Sequence, residues 1–515
     1  MSKFVPNSEP VQGGAAPALA SPPQMAQLQP EISEEPAGSE SAPIAGRVDR
    51  PWIFFDRAFI VPMIVACALF VENMDSTVIA TSLPMIARDL NQDPIVLKLG
   101  LSSYLVSLAV FIPISGWMAD RFGGRRIFRI AICVFMASSM LCGLSTSFVG
   151  FVAARFLQGI GGAMMVPVGR IVILRSIPRE ELVTAFNYLT IPAILGPVIG
   201  PPLGGMITTY VSWRWIFFIN VPISLLGIFL AGRFMENIRE EEVPPLDYVG
   251  FVLSAVGLSL SIFGLTTIHD QLISIELSLA CMGAGAACII AYLIHARHKK
   301  QPLLELGILK VKTYWVGVGG GSLFRIGIGG ISLLLPLMFQ LGFGMNPLQS
   351  GLLTCASAIG AMFMKSVVKL VLRLFGFRTV LIANALLASA TIAGFGLFTA
   401  YTPRLLVFVI LLIGGCFRSL QFTAINAIAY ADIPDDMVSR ATSLFATIQQ
   451  LALGVGVTAG AFALQTSSFL QGHRTIVASD FWPAFVALGL IAMSSGWSAV
   501  GMAKNAGARM AGREA

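Results

Sequence analysis

The stretch "GWMADRFGGRRIFR", residues 116–129, places one aspartate and four arginines between two long apolar runs. The runs on either side, 99–119 and 127–146, are close to the roughly twenty residues that an α-helix needs to cross a bilayer. Loops on the cytoplasmic side of a membrane are rich in lysine and arginine. The stretch therefore predicts a tight charged turn between two membrane-spanning helices, lying on the cytoplasmic side.

The composition indicates a chain that crosses the membrane many times. Of its 515 residues, 56% are hydrophobic and only 12% are charged, and the mean hydropathy is +0.79. A soluble domain of this length needs more polar surface, so we predict an all-α polytopic membrane protein with fourteen spans. The predicted spans cover 58–82, 99–119, 127–146, 149–173, 183–209, 214–234, 249–268, 274–294, 315–341, 348–371, 378–399, 403–429, 441–466 and 481–502.

The basic residues are concentrated in alternate loops, beginning with the loop at 120–126. The opposite loops hold only Arg88, Lys98, Arg214, Arg404 and Arg474. This bias predicts that both termini are cytoplasmic. We expect the membrane to be a bacterial cytoplasmic (inner) membrane. The same bias explains the net charge of +7, so we expect the lipid bilayer, and no nucleic acid, as a partner.

The spans are arranged as six, two and six. Residues 1–55, rich in Pro, Ala, Ser and Glu, predict a disordered cytoplasmic tail. We predict an N-terminal six-helix bundle at 56–235, an acidic linker with two inserted helices at 236–300, a C-terminal six-helix bundle at 301–503 and a cytoplasmic tail at 504–515. Transporters built from repeated bundles bind their substrate between the bundles, near the middle of the membrane.

The opening stretch resembles the loop motif of the major facilitator superfamily, in its ordered Gly-x-x-x-Asp-Arg-x-Gly pattern. The resemblance implies the major facilitator fold, and a charge cluster in which the arginines surround the aspartate and hold one conformation of the two bundles. The corresponding stretch of the second half, "MKSVVKLVLRLFGFRTV" at 364–380, lacks the aspartate. The residues that would take this gating role are Gly116, Asp120, Arg121, Gly123, Arg125 and Arg126.

Two carboxylates lie inside the first apolar run, in "FVENMDSTVIATSLP" at 70–84. Glu72 and Asp75 are three residues apart and share one helix face, which we expect to line the cavity between the bundles. Ionisable groups at membrane depth are functional candidates by default. The run resembles the first-span motif of drug:proton antiporters, in which an aspartate precedes Thr-Val and a later Leu-Pro. Glu72 could be a second proton site, a cation ligand or the partner of an arginine.

The fourth span reads "RFLQGIGGAMMVPVGR" at 155–170. Arg155 and Gln158 share a helix face, and an arginine at membrane depth needs a carboxylate or water nearby. The run resembles the fourth-span motif of drug:proton antiporters, whose arginine is linked to proton transfer. A purely structural ion pair is the alternative. We predict that Asp75, Glu72 and Arg155 serve proton coupling and that Gln158 faces the substrate cavity.

The fifth span contains "PAILGPVIGPPLGG" at 192–205. Its glycines recur every fourth residue and form a groove for a neighbouring helix, while its prolines favour a kink. Close packing alone explains this pattern, but the span also resembles the Gly-Pro motif of antiporters. The residues concerned are Gly196, Pro197, Gly200, Pro201 and Gly204.

The next stretch, "WRWIFFINVP" at 213–222, resembles one that recurs in the fourteen-helix drug:proton antiporters (EmrB/QacA-like). We interpret its physical role as an aromatic anchor at the membrane interface.

Several polar residues fall within predicted spans of the second half. We expect Arg325, Gln340, Arg418, Gln421 and Asn426 to line the substrate cavity. Few carboxylates lie at membrane depth to pair with the two arginines, so they could attract an anionic substrate or a lipid headgroup. Pairing with Glu72 and Asp75, or with backbone carbonyls, remains open.

The resemblance implies a proton-coupled antiporter that exports small organic compounds by alternating access. A proton symporter importing an organic acid or metabolite is the main alternative. A channel or a non-transporting sensor or enzyme is a further one, although the sequence contains no P-loop and no nucleophile–base pattern. We expect no cofactor other than the coupling protons, no metal and no disulfide. In a Gram-negative organism a periplasmic adaptor could be a partner.

Overall fold

The computed structural model describes residues 57–177, 182–240, 243, 245–268, 273–299, 302–434, 437–473, 475–503 and 506–507. The predicted disordered tail at 1–55 lies outside the described residues, as does most of the predicted tail at 504–515.

The described residues form fourteen long helices and no β-strand. Thirteen helices, all except α5, are long and apolar enough to cross a membrane, and α5 is itself 29 residues long. The all-α polytopic prediction is confirmed, although α1 runs beyond the predicted end at residue 82. The helices are α1 Arg57–Asp89, α2 Lys98–Phe122, α3 Gly124–Leu144, α4 Phe148–Ser176, α5 Leu182–Tyr210, α6 Trp215–Phe234, α7 Tyr248–Thr267, α8 Ile275–His298, α9 Lys312–Gly342, α10 Pro347–Phe375, α11 Phe377–Phe395, α12 Arg404–Ala429, α13 Val438–Leu470 and α14 Ala478–Val500.

The packing of helices α1–α6 is repeated by helices α9–α14. In the first set α1 packs on α5 and α6, and α4 packs on α2 and α3. In the second set α9 packs on α13 and α14, and α12 packs on α10 and α11. The two sets are called the N-half and the C-half below. Equivalent neighbours in the two halves are what an internal structural repeat produces.

The two halves meet along two seams, which are also equivalent to each other. One seam joins α5 to α10, and the other joins α2 to α13. At the first seam the backbones touch, because a Cβ added to Gly205 would lie 2.8 Å from the Cα of Leu348. The inserted helix α7 packs on α2, beside the second seam, and α8 packs on α7.

Helices α1 and α5 are in unusually close contact along a row of glycines on α5. A Cβ on Gly196 would lie 3.0 Å from Asn73 Cβ, and one on Gly204 would lie 2.6 Å from Val78 Cγ1. A Cβ on Gly200 would collide with Thr77 Oγ1. The row is therefore a groove that accepts α1, as small residues at membrane helix contacts commonly are.

We expect Gly200→Ala to destabilise the protein by about 1–3 kcal/mol, because the added methyl group forces α1 away from α5. Gly283→Ala on α8 is the matched control, since nothing lies within 4 Å of the added Cβ. Thermal unfolding of the purified protein in detergent measures both variants. Equal unfolding temperatures for the two variants would contradict the close α1–α5 contact.

The inserted pair α7–α8 is fastened at one end by Asp247. The Oδ1 atom of Asp247 accepts a hydrogen bond from Gly250 N at 3.1 Å and caps α7, and it lies 2.8 Å from His295 Nε2 on α8. Burial acts to raise the pKa of Asp247, but the hydrogen bonds from His295 and Gly250 outweigh it and hold the pKa below its usual value. The ionised carboxylate is therefore the form that the folded state stabilises.

Asp247→Ala should lower stability at neutral pH by about 1 kcal/mol, the usual cost of a lost helix cap. A carboxyl whose folded pKa is depressed stabilises the fold above its unfolded pKa, and this contribution is lost as the pH falls through the folded value. The difference from the unsubstituted protein should therefore shrink below about pH 4. Unfolding temperatures measured from neutral pH to pH 3 test this. His295→Gln keeps the cap and should lower the stability by less than Asp247→Ala does. A larger loss of stability from His295→Gln would contradict the assignment of the cap to Asp247.

Candidate functional site

Asp75 lies in the interior of the N-half, at the centre of a hydrogen-bond network. Its side chain is 3% exposed. Its Oδ2 accepts from Arg155 Nη1 on α4 at 2.7 Å, and its Oδ1 accepts from Gln158 Nε2 at 3.0 Å and from Asn220 Nδ2 on α6 at 2.9 Å. A full ion pair is thus formed out of contact with solvent, and it connects three helices of the N-half.

The partners of Asp75 are themselves held in place. Asn220 Nδ2 also donates to Ser139 Oγ at 3.0 Å, and Ser139 Oγ donates to the Phe217 carbonyl at 3.0 Å. The Arg155 guanidinium stacks on the Tyr104 ring, 4.4 Å from its centroid. We call Asp75, Ser139, Arg155, Gln158 and Asn220 the Asp75 network. Because each member bonds to another, a change of charge on Asp75 alters every contact in it.

The structure brings Asp75 and Arg155 together, as the sequence predicts, but it places Gln158 differently. Gln158 is fully buried in the Asp75 network and does not line the central cavity. Asn220 is a further member of the network that the sequence did not predict, because it lies in a stretch interpreted as an aromatic anchor. A polar residue at membrane depth within "WRWIFFINVP" was the available signal.

The beginning of that stretch does act as an anchor. Trp213 Nε1 and Arg214 Nη1 donate to Asp89 Oδ2 at 2.8 and 2.7 Å, and the Arg214 guanidinium lies 4.4 Å from the centroid of the Trp213 ring. These contacts fasten the start of α6 to the end of α1. The stretch therefore has two functions, an anchor at Trp213 and Arg214 and a buried donor at Asn220.

Glu72 lies one helical turn before Asp75 on α1. Its Oε2 is shielded from solvent and has no hydrogen-bond partner among the described residues. The structure thus leaves Glu72 outside the hydrogen bonds of the Asp75 network.

A cavity of about 650 Å³ lies between the two halves. Ser76, Thr77 and Thr81 of α1 line it, whereas Asp75 and Glu72 do not. The expectation that the two carboxylates face the cavity is therefore corrected. Successive residues of a helix point about 100° apart, so Asp75 faces α4 and α6 while Ser76 faces the C-half.

The predicted cavity residues of the C-half separate into two groups. Arg418 and Asn426 line the cavity. Arg325, 3% exposed, lies behind the wall, donates to Asn426 Oδ1 at 3.1 Å and stacks near Phe422. Gln421 lies inside the C-half, donating to the Leu381 carbonyl at 3.1 Å.

Gln340 connects the two halves instead of lining the cavity. It lies in the widened π-helical turn Met338–Gly342 that ends α9, and its Nε2 donates to the Thr81 carbonyl of α1 at 2.8 Å. Widened turns of this kind are frequent at functional positions.

The cavity is closed at one end and accessible at the other. The basic face is the side of the molecule that carries the α2–α3, α10–α11 and α12–α13 connections. At the opposite end of the cavity from the basic face, two contacts join the halves: Gln340 bonds to Thr81, and Leu348 N donates to Thr209 Oγ1 at 3.2 Å. Thr81 is 1% exposed, whereas Lys365 and Asn426, lining residues nearer the basic face, are exposed. The cavity is therefore open towards the basic face and closed at the opposite end.

The α2–α3 loop pairs its aspartate with a different helix than expected. Asp120 Oδ1 accepts from Arg175 Nη2 of α4 at 2.9 Å, and Arg175 also pairs with Glu240 at 2.9 Å. Gly123, at φ +93°, has no room for a side chain, because a Cβ there would lie 2.5 Å from Asn237 Nδ2. The loop is thus held by the end of α4 and by the segment after α6.

The arginines predicted to surround Asp120 make other contacts among the described residues. Arg125 Nη1 donates to the Met235 carbonyl at 3.4 Å, and the backbone N of Arg126 donates to Asn237 Oδ1 at 3.2 Å. Arg121 and Arg126 are exposed. Gly116 faces α4, where a Cβ would lie 4.0 Å from Ile171 Cδ1. The motif residues are close together, but the cation paired with Asp120 is Arg175.

Two repeated helical halves around a cavity, with a buried ion pair beside it, define a membrane transporter. The chain belongs to the Major Facilitator Superfamily, whose sequence profile matches residues 65–457. As a member, it is a multi-pass transporter of small substrates and not an enzyme, and the predicted family is confirmed. Transporters of this superfamily generally need no cofactor, and many are coupled to protons.

Curated bacterial relatives match most of the chain. A protein of Serratia proteamaculans (strain 568) named "Putative multidrug resistance protein MdtD" is 36% identical over 395 residues, which is 77% of this chain and 83% of that protein. A protein of the same name from Klebsiella pneumoniae (strain 342) is 34% identical over 424 residues, covering 82% and 89% of the two chains.

Solved structures share the fold at low sequence identity. A D-xylose–proton symporter has a TM-score of 0.62 at 15% identity, with 87% of this chain and 98% of that chain covered. A POT-family peptide transporter in complex with sulfate has a TM-score of 0.62 at 16% identity, covering 88% and 95%. At such identity the likeness establishes the fold alone.

Asn220→Leu removes two hydrogen bonds from the Asp75 network while keeping side-chain volume, and we expect transport to fall at least about tenfold. Asn384→Leu is the control, because Asn384 is equally buried in the C-half and bonds to Gln421 at 2.9 Å. Both variants should lose about 1–3 kcal/mol of stability. Only Asn220→Leu should slow transport in proteoliposomes. Equal transport rates in the two variants would show that Asn220 has only a structural role.

Proposed function

We propose that this transporter is a proton-coupled antiporter that exports small organic compounds, of the multidrug-efflux type, across the bacterial inner membrane. The observation that carries the proposal is the Asp75–Arg155 ion pair, 2.7 Å long, buried beside the cavity. The bacterial relatives named for multidrug resistance support the export of organic compounds.

Asp75 is suited to hold the coupling proton because its protonation changes the network. An ionised carboxylate accepts hydrogen bonds from Arg155, Gln158 and Asn220. Protonation removes the charge that attracts Arg155 and converts one carboxyl oxygen into a donor. The arginine is then left without a counter-charge in a buried position, which costs several kcal/mol. The N-half must therefore rearrange, or admit water, when Asp75 takes up a proton.

Helix α1 can transmit that rearrangement to the cavity. Ser76, Thr77 and Thr81 on α1 line the cavity, and the Thr81 carbonyl accepts the bond from Gln340 that crosses to the C-half. Helix α5 moves with α1 through the glycine row and also forms the α5–α10 seam. Protonation at Asp75 is thus connected through two helices to the contacts that close the cavity.

The proposed orientation places the basic face in the cytoplasm, together with both termini, following the positive-inside rule. The cavity directed towards the basic face is then ready to take a compound from the cytoplasm. Alternating access exposes it to the other side, where a proton enters in exchange. A membrane potential of 100 mV supplies about 2.3 kcal/mol for each charge that crosses. In a Gram-negative cell a periplasmic adaptor would receive the compound.

Asp75→Asn should abolish pH-driven efflux while leaving the protein folded in the membrane, because asparagine keeps the size and hydrogen bonding but cannot exchange a proton. Transport into proteoliposomes under an imposed pH gradient is the measurement. Asp89→Asn is the control, because Asp89 lies on the same helix but pairs with Arg214 outside the network. Full pH-dependent transport by Asp75→Asn would contradict the assignment.

The direction of transport needs its own measurement, because a D-xylose–proton symporter shares this fold. In everted membrane vesicles with an acidic lumen, an antiporter accumulates substrate as protons leave. A symporter moves the substrate out together with the protons. Proton-dependent release of substrate from the vesicles would favour the alternative of import of an organic acid or metabolite.

A further inference from the structure

Charge at membrane depth is divided between the two halves. The C-half helices have no aspartate or glutamate within Lys312–Gly342, Pro347–Phe375, Phe377–Phe395, Arg404–Ala429, Val438–Leu470 and Phe481–Ser494. The carboxylate of α14, Asp480, lies in its first turn and pairs with His473 at 2.7 Å. The same helices nevertheless carry Arg325, Lys365 and Arg418. In the N-half, by contrast, α1 alone contains Glu72, Asp75 and Asp89. The carboxylate of Asp75 is already occupied by Arg155.

Arg418 is one of these C-half cations and lies in the cavity wall. It lines the cavity from α12, and its Nε is shielded from solvent without a hydrogen-bond partner. No salt bridge or hydrogen bond of Arg418 is found within the described part of the chain. A guanidinium at membrane depth is stable only with water, a carbonyl or an anion around it. The cavity is where such a partner can reach it.

Lys365 provides a second cation on the facing helix. Helices α10 and α12 are in backbone contact, and Ser419 Oγ donates to the Ala361 carbonyl at 2.9 Å. Arg418 is adjacent to that contact, and Lys365 lies one turn beyond Ala361, about 6 Å along the helix axis. Both side chains line the cavity, and none of the described lining residues is a carboxylate. The wall therefore carries two cationic side chains on neighbouring helices.

The remainder of the wall is apolar with a few hydroxyl groups. Ile331 and Leu335 of α9 and Phe422 of α12 provide an apolar surface, while Ser357 and Thr423 are hydroxyl-bearing. A pocket of this kind holds the apolar part of a ligand by its surface and orients the ligand through a few polar groups. A cationic compound would instead meet two like charges, which disfavours its binding.

We propose that the central cavity binds organic anions, with a carboxylate, sulfonate or phosphate group held between Arg418 and Lys365 and an apolar part lying on Ile331, Leu335 and Phe422. This inference rests on the proposed export function and names its substrate class. The same anionic chemistry is present in a soluble organic acid and in an acidic lipid headgroup. The anion supplies the counter-charge that the described residues of the cavity wall lack.

The test compares fluorescein, an anion, with rhodamine 123, a cation on a similar xanthene ring system. Fluorescence polarisation measures the binding of each dye to the purified full-length protein in an uncharged detergent, without a pH gradient. We expect fluorescein to bind more tightly than rhodamine 123. Arg418→Gln and Lys365→Gln should each weaken fluorescein binding at least about tenfold, as the loss of a close charge pair does. Arg418→Lys should retain part of the affinity.

Lys369→Gln is the matched control, because Lys369 lies one turn further along α10, is exposed and is not part of the cavity wall. It should bind fluorescein like the unsubstituted protein. Unchanged fluorescein binding in both Arg418→Gln and Lys365→Gln would overturn the proposal. So would rhodamine 123 binding as tightly as fluorescein.

Two further arms identify the source of the anion and separate this inference from the proposed function. Displacement of fluorescein by phosphatidylglycerol in mixed micelles assigns the site to a lipid headgroup, and no displacement assigns it to a soluble anion. Charge-selective binding without proton-driven transport in proteoliposomes would refute the antiporter and leave the anion site. Asp75-dependent transport of rhodamine 123 but not of fluorescein would refute the anion site and leave the antiporter.

Discussion

The ion pair between Asp75 and Arg155 imposes a strict constraint on the N-half. Moving two charges out of water costs several kcal/mol per ion, and the attraction between them compensates only when geometry is good and the remaining lone pairs are satisfied. Here Gln158 and Asn220 complete the coordination of the carboxylate. Helices α1, α4 and α6 must therefore keep one relative register. The glycines of α5 then place that helix against α1 as well.

This arrangement puts the proposed coupling residue and the cavity on two faces of the same helix. Asp75 faces the interior of the N-half, and the next residue, Ser76, faces the cavity. A proton on Asp75 and a ligand in the cavity therefore need not touch in order to influence each other. Both act on the position of α1. The cations of the cavity wall lie on the C-half, so the two charged centres belong to the two bodies whose relative position changes during transport.

Length and hydropathy were sufficient to predict the number and approximate positions of the helices, because a span must be apolar over the thickness of the bilayer. The pairing of Asp75 with Arg155 could also be anticipated, since a charge at membrane depth requires a partner. The face that each residue presents could not be predicted. Spacing shows that Glu72 and Asp75 share a side of α1, but only the neighbouring helices determine that this side faces inward.

Other side-chain contacts between residues far apart in the sequence could not be predicted either. Nothing in the α2–α3 loop indicates that Asp120 pairs with Arg175, which follows it by more than fifty residues. Asn220 was hidden for a similar reason, because it follows four aromatic residues that are typical of an interfacial anchor. Its role becomes visible only when α6 is placed beside α1 and α3.

The inserted helix α7 makes the two seams between the halves mechanically unequal. Ile262 of α7 packs with Val106 and Val110 of α2, and Thr266 is hydrogen-bonded to Thr458 of α13 at 3.0 Å. A third helix, α7, therefore contacts both helices of the α2–α13 seam. Between α5 and α10 the contact is direct, and no inserted helix in the described part of the chain spans it. A rocking motion that separates α2 from α13 must shear the α7 contacts, so the resistance to motion differs between the two sides of a nearly symmetric molecule.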